Sequence, residues 1–405
     1  ERGPVRRLRA KVGGMSGEAM LVFDEGLTAY DFGHGHPMSP IRVDLTIRLA
    51  RALGVLDQLK VVPAPVADDA LLRTVHTAEY IEAVKRAGAD PDQADPEHGL
   101  GTDDTYCFPQ MHEASAHVVG ASVEAARAVW EGDVLHASNI AGGLHHAMPG
   151  MASGFCVYND PAVAIQWLLD HGAERVAYVD VDVHHGDGVQ TVFYNDPRVL
   201  TVSLHESPTT LFPGTGGPGE TGGPDAEGSA VNIPLPPGTG DAGWLRAFHA
   251  IVPDVVKAFK PSVLVTQHGC DSHAEDPLAH LTKTVDGQRA AYLALHDLAH
   301  QVCDGKWVST GGGGYAIIDV VPRAWTHLLA IVAGEPIDPE TAVPESWRED
   351  IRIRYGRVAP SRMTDGRAPT YADWSTGYNP DTWLDRSIKA TRDISFPLLG
   401  LDPTY

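Results

Sequence analysis

Cysteine is scarce in this chain. The four present, Cys107, Cys156, Cys270 and Cys303, stand far apart and form no CxxC pair, so neither a zinc ribbon nor a disulfide framework is encoded. They read as free thiols of a reducing cytoplasm. No apolar run is long enough to span a bilayer and no apolar signal region opens the chain, which again points to a cytoplasmic protein. Positive charge is also short. Against 53 acidic residues there are 31 basic ones, a formal net charge of −22, which argues against binding to the backbone of DNA or RNA and favours a cationic substrate or partner. ERGPVRRLRAKVGG, residues 1–14 ahead of Met15, reads as an N-terminal extension or remnant with no function of its own.

What remains is ample material for a large core: 405 residues, 43% hydrophobic and 21% charged. β-branched apolar runs alternate with segments of helical period, the pattern of a parallel sheet wrapped by helices. Candidate strands are VLHAS from Val134, RVAYVDVDV from Arg175, RVLTVSLH from Arg198, PSVLVTQ from Pro261 and KWVST from Lys306. Ser39 before Pro40 and Asp160 before Pro161 read as helix caps, and Asp241 opens a helix through Phe259. Leu211 to Gly240, rich in Gly and Pro, reads as a long irregular loop, the kind that is often functional. After about Asp338 the pattern fades into a polar tail. The expected organisation is one α/β domain over residues 15–338 and a C-terminal extension, 339–405, that packs on it.

YVDVDVHHGDGV, from Tyr178 to Val189, poses the functional question. Valines at 179, 181 and 183 alternate with Asp180, Asp182 and His184, so a strand would carry an acidic face where a core should be. Carboxylates two residues apart on a strand lie about 6–7 Å from one another, and burying them unpaired costs several kcal/mol. Ligands of open α/β sheets sit beyond the carboxyl ends of the strands. Four such ends here carry polar clusters: His145 and His146 in GGLHHA, the Asp180 to Asp187 stretch, Asp271 in CDSHAEDP, and Tyr315 after Gly311 to Gly314. Asp182, His184 and Asp271 supply two oxygens and one nitrogen, a set suited to zinc with a position open to water. A buried hydrogen-bonded pair would account for Asp182 and His184 alone, a flexible turn for GGGGY, and adjacent histidines on a strand would point opposite ways. Together the four ends imply a shared pocket.

LHHAMPGMASGFCVYND, YVDVDVHHGDGV, TVSLH, LFPGTG, GCDSHAEDPL, STGGGGY and GHGHPMSPIR resemble the zinc-dependent histone deacetylase family, and GCDSHAEDPL looks closest to its bacterial acetoin-utilization branch. The resemblance runs from about Leu21 to the helix after Tyr315. It implies an arginase-like α/β fold, a parallel sheet with helices on both faces, and removal of acetyl groups from lysine side chains. The implied zinc ligands are Asp182, His184 and Asp271. His146 would be general base and acid and His145 its electrostatic partner, with Asp180 orienting His145, Asp187 orienting His146, and Tyr315 donating to the oxyanion. One potassium site is implied at Asp180, with backbone oxygens of Asp182, His184 and Leu204 and the Ser203 side chain. A second would use backbone carbonyls near Phe193, Asp196, Val199 and Ser229.

The resemblance also makes Phe155 and Phe212 the aromatic walls of an acetyl-lysine tunnel, although core packing would explain either. Gly154, Leu278 and Gly313 would line the pocket, Asp104 would hold the substrate backbone at the rim with Asp103 as the alternative register, and Arg42 would sit at an inner acetate cavity. The implied partner is an acetylated protein lysine, with an acyl-CoA synthetase as the candidate carrier. Three alternatives stand beside this one. A binuclear manganese ureohydrolase would need DxHxD, where the position two after His184 is Gly186, and a later DxD, where Asp271 is followed by His273. An acetylpolyamine amidohydrolase would use the same site but usually carries an entrance-narrowing insertion, and none is evident between Arg73 and Tyr106. A non-catalytic acetyl-lysine binding module would have lost a ligand or the tyrosine, and all are present.

Overall fold

The computed structural model describes residues 19–404, so the expected extension at 1–14 lies outside the described residues. Eight strands form one sheet: β1 Ala19–Val22, β2 Leu59–Val62, β3 His136–Asn139, β4 Val176–Asp180, β5 Val199–Glu206, β6 Ala230–Leu235, β7 Val263–Gln267 and β8 Trp307–Thr310. Their order is β2-β1-β3-β8-β7-β4-β5-β6, and every pairing is parallel. The helices are α1 Ile41–Ala52, α2 Asp69–Leu72, α3 Ala78–Ala89, α4 Met111–Trp130, α5 Asp160–Asp170, α6 Asp187–Phe193, α7 Asp241–Phe259, α8 Val285–Val302, α9 Val321–Val332, α10 Glu345–Tyr355 and α11 Trp383–Leu398. One layer is built on α4 with α5, the other on α9, α8, α7 and α11 packed in succession. With both faces covered, β3 to β8 are buried along their whole length, which is why β4 to β7 are largely apolar, while the polar residues of β3 and β8 are buried with them.

Several local expectations change. The alternation from Tyr178 to His184 is not one strand: β4 ends at Asp180, and Asp182 and His184 lie in the loop beyond it. Leu211 to Gly240 is not wholly irregular, because Ala230–Leu235 is the edge strand β6. Its Pro234, which has no N–H to give, is tolerated at an edge. Asn159 rather than Asp160 caps α5, its side chain accepting from Ala162 N at 3.0 Å. The Asp160 carboxylate instead accepts the N–H groups of Gly143 and Leu144, at 3.0 and 2.8 Å, and so fixes the loop that carries the two histidines. Ser39 does accept from Ile41 N, at 3.3 Å, with Pro40 as the cap residue of α1.

The polar stretch after Asp338 contains α10 and α11. Trp347 of α10 enters a small apolar cluster with Leu45 and Leu49 of α1 and donates its indole N–H to Leu45 O at 3.1 Å. The α11 helix lies on α7 and on β6, where Thr391 donates to Asn232 O at 2.7 Å and Ser387 donates to Pro234 O.

Candidate active site

The loops after β3, β4, β7 and β8 meet beyond the carboxyl ends of four strands. Asp182 and Asp271 are fully buried, and the His184 imidazole lies between them, its Nδ1 3.1 Å from Asp182 Oδ1 and 3.2 Å from Asp271 Oδ2. One donor atom from each residue falls within 4.8 Å of the other two. Burial opposes charging the imidazole, yet the two carboxylates outweigh it and push His184 up to about 10. Asp271 is pushed up to about 7 by burial and by Asp182 beside it. Two buried carboxylates around one imidazole thus call for added positive charge, and the donor set fits a divalent metal ion.

The Asp182 carboxylate is positioned by groups that sequence reasoning missed or undervalued. Its Oδ2 accepts from Gln267 Nε2 and from Gly313 N, both at 2.8 Å. Gln267 reads in sequence as one more residue of a buried strand; only the β4–β7 register, which pairs it with Asp180, brings it here. Gly313 has no room for a side chain, since a Cβ there would stand 1.9 Å from Asp271 Oδ2.

The two histidines do not diverge as they would on a strand. In a turn after β3, their Nε2 atoms lie 3.1 Å apart. His145 Nδ1 is 2.7 Å from Asp180 Oδ2, which also accepts from the Tyr178 hydroxyl at 2.7 Å, and His146 Nδ1 is 2.6 Å from Asp187 Oδ1. The two rings are driven apart in acidity. Burial opposes protonation of His145, but Asp180 and Asp182 prevail and raise it to about 9; burial and the neighbouring His145 lower His146 to about 4. His146 is therefore the neutral ring, with Nδ1–H donated to Asp187 and Nε2 left as an acceptor.

A cleft of about 210 Å³ leads to this group and is lined by Asp104, His146, Gly154, Phe155, His184, Leu211, Phe212, Leu278 and Tyr315. Asp104 rather than Asp103 reaches the cleft. Phe155 stands edge-on to Tyr315 at 5.7 Å, and Phe212 edge-on to His146 at 5.1 Å. Phe155 has φ of 66°, a left-handed conformation uncommon outside glycine, and its carbonyl accepts the Tyr30 hydroxyl at 2.7 Å. Tyr30 gave no sequence signal. Asp276 lies within GCDSHAEDPL, which by itself gives it no role; its Oδ2 accepts from Tyr315 N at 2.8 Å and sets the tyrosine's backbone. Burial, followed by the nearby Asp271 and Asp182, pushes the Tyr315 phenol well above its usual range, so it stays a proton donor.

The histone deacetylase domain model matches residues 36–332. The chain belongs to the histone deacetylase family. It is 43% identical over 350 residues to the acetoin utilization protein AcuC of Bacillus subtilis strain 168, covering 86% of this chain and 90% of the relative. AcuC of Staphylococcus xylosus is 38% identical over 329 residues, 80% and 85% of the two chains. Among solved structures, an HDAC homolog from Aquifex aeolicus superposes with a TM-score of 0.80 at 28% identity, over 92% of this chain and 99% of that one. The protein is a hydrolytic deacetylase of the bacterial, acetoin-utilization branch, with the α/β fold of the family, and the family is metal-dependent.

The remaining expected deacetylase residues lie at varied depth around this centre. Ser203 stands opposite Asp180 in the β4–β5 register, with Leu204 next to it in β5. Phe193 ends α6, Asp196 lies in the turn after it and Val199 opens β5, while Ser229 O accepts from Thr201 N at 2.8 Å; this second group lies apart from the cleft. The Arg42 guanidinium is buried against the Trp325 ring and donates to the Gly312 and Gly314 carbonyls, at 2.6 and 3.4 Å, bracing the glycine run from behind. The inner space beside that run, about 10 Å³, is lined by Met38, Leu144 and Gly312 among others, and Arg42 is not one of them.

Proposed function

We propose that this deacetylase removes the acetyl group from N-ε-acetyl-lysine in proteins. The observation that carries the proposal is the convergence of two His–Asp pairs, a two-carboxylate, one-imidazole donor set and the Tyr315 phenol at the base of a narrow aromatic cleft. Phe155 and Phe212 would flank the alkyl chain while Gly154 admits it: a Cβ at 154 would stand 2.5 Å from the His146 ring. Asp104 at the exposed rim would accept hydrogen bonds from the substrate backbone.

Asp182, His184 and Asp271 would hold zinc, which when bound supplies a Lewis acid for the acetyl carbonyl and a more acidic water. His146 Nε2 takes the proton of the attacking water and later delivers it to the leaving amine. Asp187 keeps that ring in the required tautomer. His145, held charged by Asp180, contributes a fixed positive charge beside it, and the Tyr315 hydroxyl donates to the oxyanion. Potassium would occupy the group around Asp180, Ser203 and Leu204 and a second place near Phe193, Asp196, Val199 and Ser229. The free thiols of all four cysteines fit a cytoplasmic enzyme, and among the described residues no helix is long and apolar enough to cross a membrane.

The test is acetate release by zinc-loaded protein from an acetyl-lysyl peptide and, in parallel, from an acetylated polyamine. Preference for the peptide is expected, and chelation followed by zinc should abolish and restore it. Preference for the polyamine would keep the chemistry and overturn the substrate, and an acyl-CoA synthetase would then cease to be the candidate partner.

A further inference from the structure

A second cluster of metal-ligating side chains lies at the other end of the sheet. His136 is the first residue of β3 and pairs in register with Trp307, the first of β8, so both mark the amino ends of strands whose carboxyl ends feed the active site. His296 and His300 are four apart on α8, which places both on one helix face. The three rings form a compact triangle, with centroids 4.7, 4.9 and 5.1 Å apart. One ring nitrogen from each lies within 4.8 Å of the other two.

The tautomer of the buried ring follows from its surroundings. His136 Nδ1 is 2.9 Å from the Val332 carbonyl, which can only accept, so Nδ1 carries the proton and Nε2 presents a lone pair. That lone pair faces His300 Nε2 at 3.1 Å. Two imidazole nitrogens bound at about 2.0–2.1 Å to one tetrahedral zinc stand about 3.3 Å apart, so the separation suits two ligands of a shared ion. A simple hydrogen bond would explain His136 and His300 but would leave the third ring without a reason to be there. The rings are also held: Trp307 stands edge-on to both His136 and His296 at 5.7 Å, and Gly305 lies so close that a Cβ would come 2.7 Å from His300 Cε1. His136 is buried and His300 exposed, so an ion could enter from solvent and be bound against the core.

We propose that His136, His296 and His300 form a second metal site, for a first-row divalent transition ion such as zinc, separate from the catalytic centre. An all-nitrogen set of three imidazoles favours zinc, nickel or copper over magnesium or calcium, and leaves a fourth position for water. An ion there would tie α8 to β3 and play no part in acetyl hydrolysis.

Metal-free protein would be loaded with zinc, stripped of loosely held ion by gel filtration, and its zinc content measured by atomic emission beside a His296→Gln/His300→Gln variant. Both positions are at least partly exposed, so the variant should fold and retain acetate release. The wild type should hold one equivalent more than the variant, whatever the catalytic site itself holds. Equal contents would overturn the proposal. A single His300→Gln variant repeats the test with less disturbance: loss of the extra equivalent supports the site, and its retention refutes a role for that ring.

Discussion

Phenylalanine at position 315 would keep the shape of the tyrosine and remove only the hydroxyl. Because the phenol holds no metal and its ring already packs edge-on to Phe155, Tyr315→Phe should leave zinc content unchanged while lowering turnover by about 10²–10³-fold, the usual loss of one oxyanion donor. Steady-state rates with parallel metal analysis would check this, and an unchanged rate would remove Tyr315 from the reaction. Gly313→Ala should do the reverse. Its Cβ would meet Asp271 Oδ2 at 1.9 Å, displacing a carboxylate of the proposed zinc site, so zinc content itself should fall. The grouping of Asp182, His184, Asp271 and Tyr315 was legible in short motifs because each motif joins a strand end to a polar side chain. The roles of Gln267, Tyr30 and Asp276 were not, because each acts on a residue far away in sequence or through a backbone group, even though Gln267 and Asp276 stand beside or within GCDSHAEDPL.

Strands buried on both faces announced themselves as apolar runs, and five of the eight were recognisable in that way. β6 was hidden by the Gly- and Pro-rich chain before it and by Pro234 within it, features tolerated because it is an edge strand. Its outer side is covered by α11, and α11 is held to α7 by a bidentate pair, Arg246 Nε to Asp385 Oδ1 at 2.9 Å and Arg246 Nη2 to Asp385 Oδ2 at 2.8 Å. Both side chains are buried. Removing one partner of such a pair leaves the other charge uncompensated, so Asp385→Ala should cost about 3–5 kcal/mol in urea unfolding. It should also raise aggregation by loosening the cover of an unpaired strand edge. A change below about 0.5 kcal/mol would mean that the pair contributes little to docking.

For the molecule as a whole, acid sensitivity comes partly from buried neutral histidines that are not among the proposed catalytic groups. His76 is locked in one neutral tautomer, with Nδ1–H donated to Met148 O at 3.1 Å and Nε2 accepting from Asn159 N at 3.0 Å. Burial lowers it to about 4, and His327, buried beneath the segment around Met363, is likewise lowered to about 4. An unfolded histidine takes up its proton near pH ~6.5. The folded state therefore keeps its full stability above about 6.5, loses it as the pH falls toward 4, and loses no more below that, by up to about 3 kcal/mol for each ring. Urea midpoints measured from pH 7.5 to 4.5 should fall along that window, and less steeply in His76→Gln; a flat profile would refute the assignment. The alternation of apolar runs with helical segments, and the ligands and acids placed just after strands, are properties of neighbouring residues, so local sequence encodes them and the fold class and donor set could be read from it. Which strand ends become neighbours is a property of the order β2-β1-β3-β8-β7-β4-β5-β6, in which segments far apart in the chain lie side by side. That order puts Gln267 on Asp182 and Ser203 beside Asp180, and the packing of α8 on the sheet puts His136 against His300 across 164 residues of chain, because such contacts depend on long-range packing that no local pattern records.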